Sequence, residues 1–530
     1  MVGIILQHRK WLLCTPPLHS PVILGYKTGM AKRSDGFLLG FDLGSSSIKA
    51  ALLKAETGEL VASASFPKTE LAITAPRPGW AEQDPALWWA NTVAAATALK
   101  TAASREFAAV CAIGISYQMH GLVVVDKAGK VLRPSIIWCD SRAVEIGARA
   151  FKGIGEQACL KRLLNSPGNF TASKLAWVKE NEPEVFSRVS KYLLPGEWLA
   201  FGMTGEACTT PSGLSEAVLW DFTKDGLADV VLDWYGIPRD LVPDVRPTFS
   251  LQGELTEKAA QSLGLPKGIP VSYRAGDQPN NAFALNVMDP GEAATTAGTS
   301  GVVYGVAGKP AYDPLSRVNT FVHASHTAES PRYGVLLCVN GTGILNSWMK
   351  RILVGDSGAV SYDQMNAVAL QAPIGADGLS ILPFGNGAER TLENRTIGGA
   401  LLGIDFNRHG IPHLLRASQE GIVFALQYGL KIMRDMGIEA RTVRAGNANM
   451  FLSPIFREAF ATVTGARVEL YNTDGAQGAA RGAGVGAGLY RGLKDAFVGL
   501  TAVMTVEPDA EKRVAYQDAY GRWERELTRF

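Results

Sequence analysis

Two hairpins with tips of glycine and hydroxyl residues, one in each half of the 530-residue chain, constrain the fold more than any other feature. The first runs from Gly36 to Leu53: a strand carrying Asp42, a Gly44-Ser45-Ser46 turn, and a returning strand. The second follows Arg274-Ala275-Gly276-Asp277-Gln278-Pro279. An apolar run over 282–288, a turn at Asp289-Pro290-Gly291 and a strand over 292–297 lead to the tip Gly298-Thr299-Ser300-Gly301. Tips without bulky Cβ atoms let backbone N–H groups approach an anion closely. Taken singly, such a tip is most often a tight turn, and an aspartate after a strand is as often a helix cap as a base. Two of them, each beside an isolated acid, predict two related domains clasping a polyphosphate.

Length and composition agree with two large domains, since about 150 residues per domain is the usual scale. A content of 47% hydrophobic and 19% charged residues is ordinary for a globular protein. The net charge of +2 argues against a nucleic-acid binder relying on a basic surface, and gives no sign of a membrane-surface protein. Cys14, Cys111, Cys139, Cys159, Cys208 and Cys338 are widely spaced, which reads as reduced, cytoplasmic thiols rather than a disulfide framework or zinc site. No apolar run approaches the roughly 20 residues of a spanning helix. Residues 1–35 match no later pattern and read as a disordered or misassigned start, with Met30 as the natural initiator.

Along the chain, 37–43, 47–54 and 60–66 read as an antiparallel meander. Asp84-Pro85 caps a helix to about 103, and a buried strand over 110–116 leads into Gln118-Met119-His120-Gly121. This order opens a ribonuclease-H-like α/β unit, in which ligands sit at strand ends. Residues 145–250 read as mainly helical and loop-like, with Trp177, Trp198 and Trp220 as core anchors. The second half repeats the order: a strand over 334–339, helices over 343–352 and 412–436, a strand into Arg444-Ala445-Gly446-Asn447, a helix over 453–464 and a strand over 467–471. The tract Gly482-Ala483-Gly484-Val485-Gly486-Ala487-Gly488 is not followed by the acidic residue of a dinucleotide fingerprint, so it predicts a helix pressed on a sheet. His323-Ala324-Ser325-His326 lacks the carboxylate or cysteine cluster of a metal site.

The motifs, taken in order, resemble the FGGY family of carbohydrate kinases over residues 36–495. They are Asp42-Leu43-Gly44-Ser45-Ser46, Gly79-Trp80-Ala81-Glu82-Gln83-Asp84-Pro85, Gln118-Met119-His120-Gly121, Trp138-Cys139-Asp140-Ser141-Arg142, Leu194-Pro195, Met203-Thr204-Gly205, Gly276-Asp277, Gly298-Thr299-Ser300-Gly301 and Glu389-Arg390-Thr391. The resemblance implies two ribonuclease-H-like (actin-like ATPase) domains around a central cleft for ATP and sugar. The expected boundaries are 36–272 for the N-terminal, sugar-binding domain, 273–500 for the C-terminal, nucleotide-binding domain and 501–530 for a tail or helix. It implies ATP and Mg²⁺ as cofactors, a small-molecule sugar substrate, no nucleic-acid or membrane partner, a homodimer and a cytoplasmic location.

By the same resemblance Asp277 is the catalytic base. Gln118, Met119, His120, Gly121 and Gln278 join it around the sugar, Gly44, Ser45, Ser46, Gly298, Thr299 and Ser300 hold the phosphates, and Gly446 and Asn447 face the nucleotide. Asp42, through water, and Asp277 face the metal. Three positions depart from the family pattern: Gln278 stands where Asn is usual, Pro279 interrupts the helix start, and the adenine-side loop reads Arg444-Ala445-Gly446-Asn447. The implied reaction phosphorylates a ketopentose, D-xylulose first. L-Ribulose, L-fuculose, gluconate and glycerol remain open as substrates, as does a non-catalytic actin-like sugar- or nucleotide-binding protein.

Overall fold

A computed structural model describes residues 36–354 and 360–530, so the reading of 1–35 lies outside the described residues. Continuous apolar runs such as Phe37–Leu43 and Val110–Tyr117 form strands buried on both faces, as sheets covered by helices require. The first sheet has the order Val271–Gly276, Val110–Tyr117, Phe37–Leu43, Ile48–Lys54, Leu60–Phe66. Its last three strands are an antiparallel meander, and its first two lie parallel to Phe37–Leu43.

The second sheet repeats this plan. The hairpin Glu292–Ala297 and Gly301–Ala307 pairs with Tyr333–Val339 on one side, and Thr442–Gly446 and Arg467–Tyr471 run parallel to Glu292–Ala297 on the other. Asn319–Val322 and Ala502–Val506 extend its edges. The mixed α/β, two-sheet architecture expected from the paired hairpins is therefore present.

Two boundaries differ from expectation. Strand Val271–Gly276 pairs with Val110–Tyr117 in the first sheet, so a division at 272/273 cuts a strand of that sheet. The segment 501–530 does carry a helix, Arg513–Leu527, but it is no separate tail: that helix buries Tyr516, Trp523 and Leu527, and Ala502–Val506 joins the second sheet. Trp523 Nε1 donates to the Ile381 carbonyl at 2.8 Å, a partner more than a hundred residues away that sequence periodicity does not reveal.

The glycine- and alanine-rich tract forms helix Gly475–Gly486, which lies against the first sheet. The helix packs with no room for side chains: a Cβ at position 114 would collide with the Ala479 backbone carbonyl, and one at 482 with the Tyr273 ring. Gly114→Val should therefore cost about 3 kcal/mol or more through overpacking that no rotamer relieves. Urea unfolding measures it, and a loss below about 1 kcal/mol would mean that helix and sheet separate easily.

Candidate active site

The segments that carry the candidate base, phosphate turns, Gln118 and Asn447 each leave the carboxyl end of a central strand. Ser45 and Ser46 follow Phe37–Leu43, Gln118 follows Val110–Tyr117, Asp277 follows Val271–Gly276, Gly298 follows Glu292–Ala297, and Asn447 follows Thr442–Gly446. The carboxyl ends of parallel strands are where an open α/β sheet binds its ligands.

Asp277 is the first residue of helix Asp277–Ala284, behind Gly276 as N-cap. Pro279 is accommodated in the first turn, where backbone N–H groups need no partner within the helix. Burial, and then the negative charge of Asp42, push the Asp277 carboxyl up to about 7. The Gln278 backbone and side chain both donate to that carboxylate, so the longer amide is turned toward the base. Burial likewise raises the pKa of Asp42, against the pull of Lys49 and with a smaller push from Asp474. A Cβ on Gly475 would stand 2.6 Å from an Asp42 oxygen, so this carboxylate rests on the amino end of helix Gly475–Gly486. Asn280 Nδ2 donates to the Gly475 carbonyl at 2.9 Å and ties the Asp277 helix to the same helix end.

Gln118 is buried, and its Nε2 donates to Gln83 Oε1 at 3.3 Å. Gln83 Nε2 in turn donates to the Ser45 carbonyl at 2.7 Å, and Trp138 Nε1 to Ser45 Oγ at 3.4 Å. The first glycine-serine turn is thus tied to the Gln118 segment through Gln83. Its Gly44 N–H is taken up by the Ser47 carbonyl at 3.0 Å, while Ser46 is exposed. Met119 is buried beneath Gly276, where a Cβ would approach its Cγ to 2.5 Å. His120 takes a left-handed backbone with φ 61°, and Gly121 packs on Pro195. The Trp80-to-Pro85 and Trp138-to-Arg142 motifs contribute mainly a scaffold. Arg142 binds Asp140 at 2.6 Å and Glu82 at 2.7 Å while stacking on Trp80 at 3.8 Å.

On the second sheet, Gly298 and Thr299 line a cleft of about 420 Å³. Its other walls are the start of helix Gly343–Val354 at Gly343, Ile344, Asn346 and Ser347, helix Tyr362–Ala369 at Tyr362, Asp363 and Asn366, and Asn449, Met450, Leu452 and Ser453. Ser300 is half-buried at the same turn, outside the lining. Gly446 and Asn447 also lie outside it, and Asn447 instead donates through its amide N–H to the Tyr471 carbonyl at 2.9 Å. Arg444 pairs with Glu292 at 2.9 Å and Glu469 at 3.0 Å on the two flanking strands, so it braces the sheet. The walls at Tyr362 and Asn449 carry no glycine-rich signature, and the Gly341-Thr342-Gly343 turn that opens the first helix is outside the motifs named above.

The FGGY family of carbohydrate kinases matches this chain twice, its N-terminal domain over residues 37–284 and its C-terminal domain over 293–488. The chain belongs to this family. It is 31% identical to the xylulose kinase of Escherichia coli strain K12, in an alignment covering 90% of this chain and 96% of that one. With the L-xylulose/3-keto-L-gulonate kinase of the same organism the identity is 30%, covering 92% and 96%. The crystal structure of xylulose kinase from Rhodospirillum rubrum is 27% identical and superposes with a TM-score of 0.82, covering 93% and 98%. Glycerol kinase from Plasmodium falciparum, solved with ADP, is 20% identical and shares the fold at a TM-score of 0.83, covering 93% and 98%.

As an FGGY kinase the chain is an ATP-dependent sugar phosphotransferase, and its residues fit the groups that reaction uses. Asp42 and Asp277 are hard oxygen donors whose mutual repulsion a divalent cation would relieve. No cluster of three His, Cys, Asp or Glu able to hold a metal occurs among the described residues. A pair of carboxylates suits Mg²⁺, which keeps several waters and takes the rest of its shell from phosphates. Cys139, Cys159, Cys208 and Cys338 are free thiols, and no helix among the described residues is long and apolar enough to cross a membrane.

Proposed function

We propose that this kinase phosphorylates the terminal hydroxyl of a 2-ketopentose, D-xylulose first, with Asp277 as the general base. The observation that carries the reading is the carboxyl of Asp277, at the strand end just past the Gly276 that covers Met119, with its pKa pushed up to about 7. A base titrating near neutral pH is poised to accept a hydroxyl proton, a task worth about 10²–10⁴ in rate. The relatives at 31% and 30% identity, a xylulose kinase and an L-xylulose/3-keto-L-gulonate kinase, support a 2-keto sugar. So does the wall of Met119 and His120, where glycerol kinases carry an Arg-Glu pair suited to a small triol.

In this reading Gln118, Met119, His120 and Gly121 bound the sugar, and Gln278 orients the carboxylate of Asp277. The domains follow the same division: residues up to the Asp277 helix carry the sugar, and the second sheet carries the nucleotide. The turns at Gly44, Ser45 and Ser46 and at Gly298, Thr299 and Ser300 hold the phosphates through backbone N–H groups and hydroxyls. The base and ribose occupy the cleft between Gly343, Tyr362 and Asn449, with Gly446 and Asn447 at its approach. Asp42, through water, and Asp277 hold Mg²⁺, which when bound neutralises charge developing on the transferring phosphoryl group.

Turnover of D-xylulose, L-xylulose, L-ribulose, D-ribulose, L-fuculose, gluconate and glycerol with Mg-ATP tests the assignment. D-Xylulose is expected to have the highest kcat/KM, with epimers lower by several decades because each mismatched hydroxyl leaves a partner unpaired. A win for glycerol or gluconate would sink the reading, and no sugar-dependent ADP release from any of them would point to a binding protein without turnover.

A further inference from the structure

His120 is held at three points by two residues remote in sequence. Its backbone N–H donates to Glu216 Oε2 at 3.2 Å, and its carbonyl accepts from Lys174 Nζ at 2.8 Å. Its ring Nδ1 lies 2.9 Å from the backbone carbonyl of Glu216. The holding groups are anchored in turn: Tyr117 Oη donates to the other Glu216 oxygen at 2.5 Å, and Lys174 Nζ also donates to the Ile137 carbonyl at 3.0 Å. Glu216 ends helix Pro211–Glu216 and Lys174 lies on helix Thr171–Asn181, and both side chains are buried. The left-handed backbone at φ 61° is one that a side-chain-bearing residue adopts only when its surroundings impose it. Phe170 and Phe321 wedge the ring at centroid distances of 4.7 and 5.4 Å.

A backbone carbonyl can only accept, so Nδ1 must carry the proton and Nε2 the lone pair. Nε2 makes no hydrogen bond among the described residues, and the side chain keeps 18% of its surface exposed. Burial, and then the positive charge of Lys174, hold the imidazole neutral, its pKa lowered to about 3. We infer that Glu216 and Lys174 are positioning residues that lock His120 in its Nδ1–H tautomer and present Nε2 as a hydrogen-bond acceptor for a substrate hydroxyl. This inference rests on the proposal that His120 lines the sugar site. An acceptor without a proton favours a hydroxyl at that position and disfavours a carboxylate or ketone oxygen, which would meet lone pair with lone pair.

Long-range ¹H–¹⁵N spectra of the full chain labelled at histidine nitrogens test it, with His120→Gln used to assign the resonance. The expected result, recorded without sugar, is a protonated Nδ1 and an unprotonated Nε2 between pH 6 and 8. A proton on Nε2, or the tautomer mixture of free histidine, overturns the inference while leaving the kinase reading intact. Glu216→Ala keeps the backbone carbonyl that meets Nδ1 but removes the carboxylate that holds the His120 N–H and Tyr117, so the ring's seat and with it the tautomer should loosen, and the KM of the preferred sugar should rise about 10–100-fold with the KM of ATP within about twofold of the parent. In Glu216→Gln the amide oxygen still accepts the His120 N–H, so tautomer and sugar KM should stay within about threefold of the parent. A folded Glu216→Ala protein with parental tautomer and sugar KM overturns the positioning role. If that variant fails to fold, the parent spectrum and the Gln variant decide.

Discussion

Asp277→Asn is expected to lower kcat by about two to four decades while nucleotide binding survives. The amide keeps the shape at the start of the helix but cannot take a proton. The loss should therefore appear in kcat, with the Kd of ATP near that of the parent. Near-normal turnover of the variant would mean that positioning alone carries the rate. The parent's pH profile should agree: with the Asp277 carboxyl pushed up to about 7, kcat/KM is expected to fall tenfold per unit below that pH and to level off above it. Stability runs the opposite way. The folded-state pKa lies above the ordinary 3.8, so the contribution of Asp277 to stability is fully present below about pH 4 and is lost as pH rises through about 7. The Asn variant, lacking the buried charge, should melt no lower than the parent at pH 8, and a clear drop in Tm there would contradict the burial argument.

Asp42→Asn is expected to lower kcat/KM by about 10²–10³-fold, the scale of losing one preorganised group around a developing charge, and to raise the Mg²⁺ concentration needed for half-maximal rate. It should also move the pKa of Asp277, past the end of another strand. Burial is the larger cause of the raised Asp277 pKa and the charge of Asp42 the next, so neutralising Asp42 should carry the acid limb of kcat/KM to lower pH. That profile reports the free enzyme, in which no bound phosphate competes. An unmoved limb with an intact fold would mean that the two carboxylates are not electrostatically paired.

Much of the architecture is local in origin and therefore legible along the chain. Asp84-Pro85 starts helix Pro85–Ala102 because an acceptor side chain and a residue without an N–H are what a first turn tolerates, and Asp84 does accept from the Ala86 N–H. The tract 482–488 reads as a closely packed helix because small residues let backbones meet, as Gly486 and Ser272 do. The glycine-hydroxyl turns are legible for the same reason, since the demand that an anion makes on backbone falls on neighbouring residues.

What sequence order by itself determined is thus the pair of meander hairpins, the strand ends that carry Asp42, Gln118, Asp277 and Gly298, and the membership of the chain in a kinase family. Partner choice was decided only by the tertiary structure, because hydrogen bonds and charges act across space whatever the separation along the chain. Arg444, a departure in the adenine-side loop when read in line, is bound between Glu292 and Glu469 on neighbouring strands. The walls of the cleft beside Gly298 come from helix starts at Gly343 and Tyr362 that share no motif with Asn449. Glu216 and Lys174, 96 and 54 residues from His120, form its clamp only because two helices pack beneath that residue.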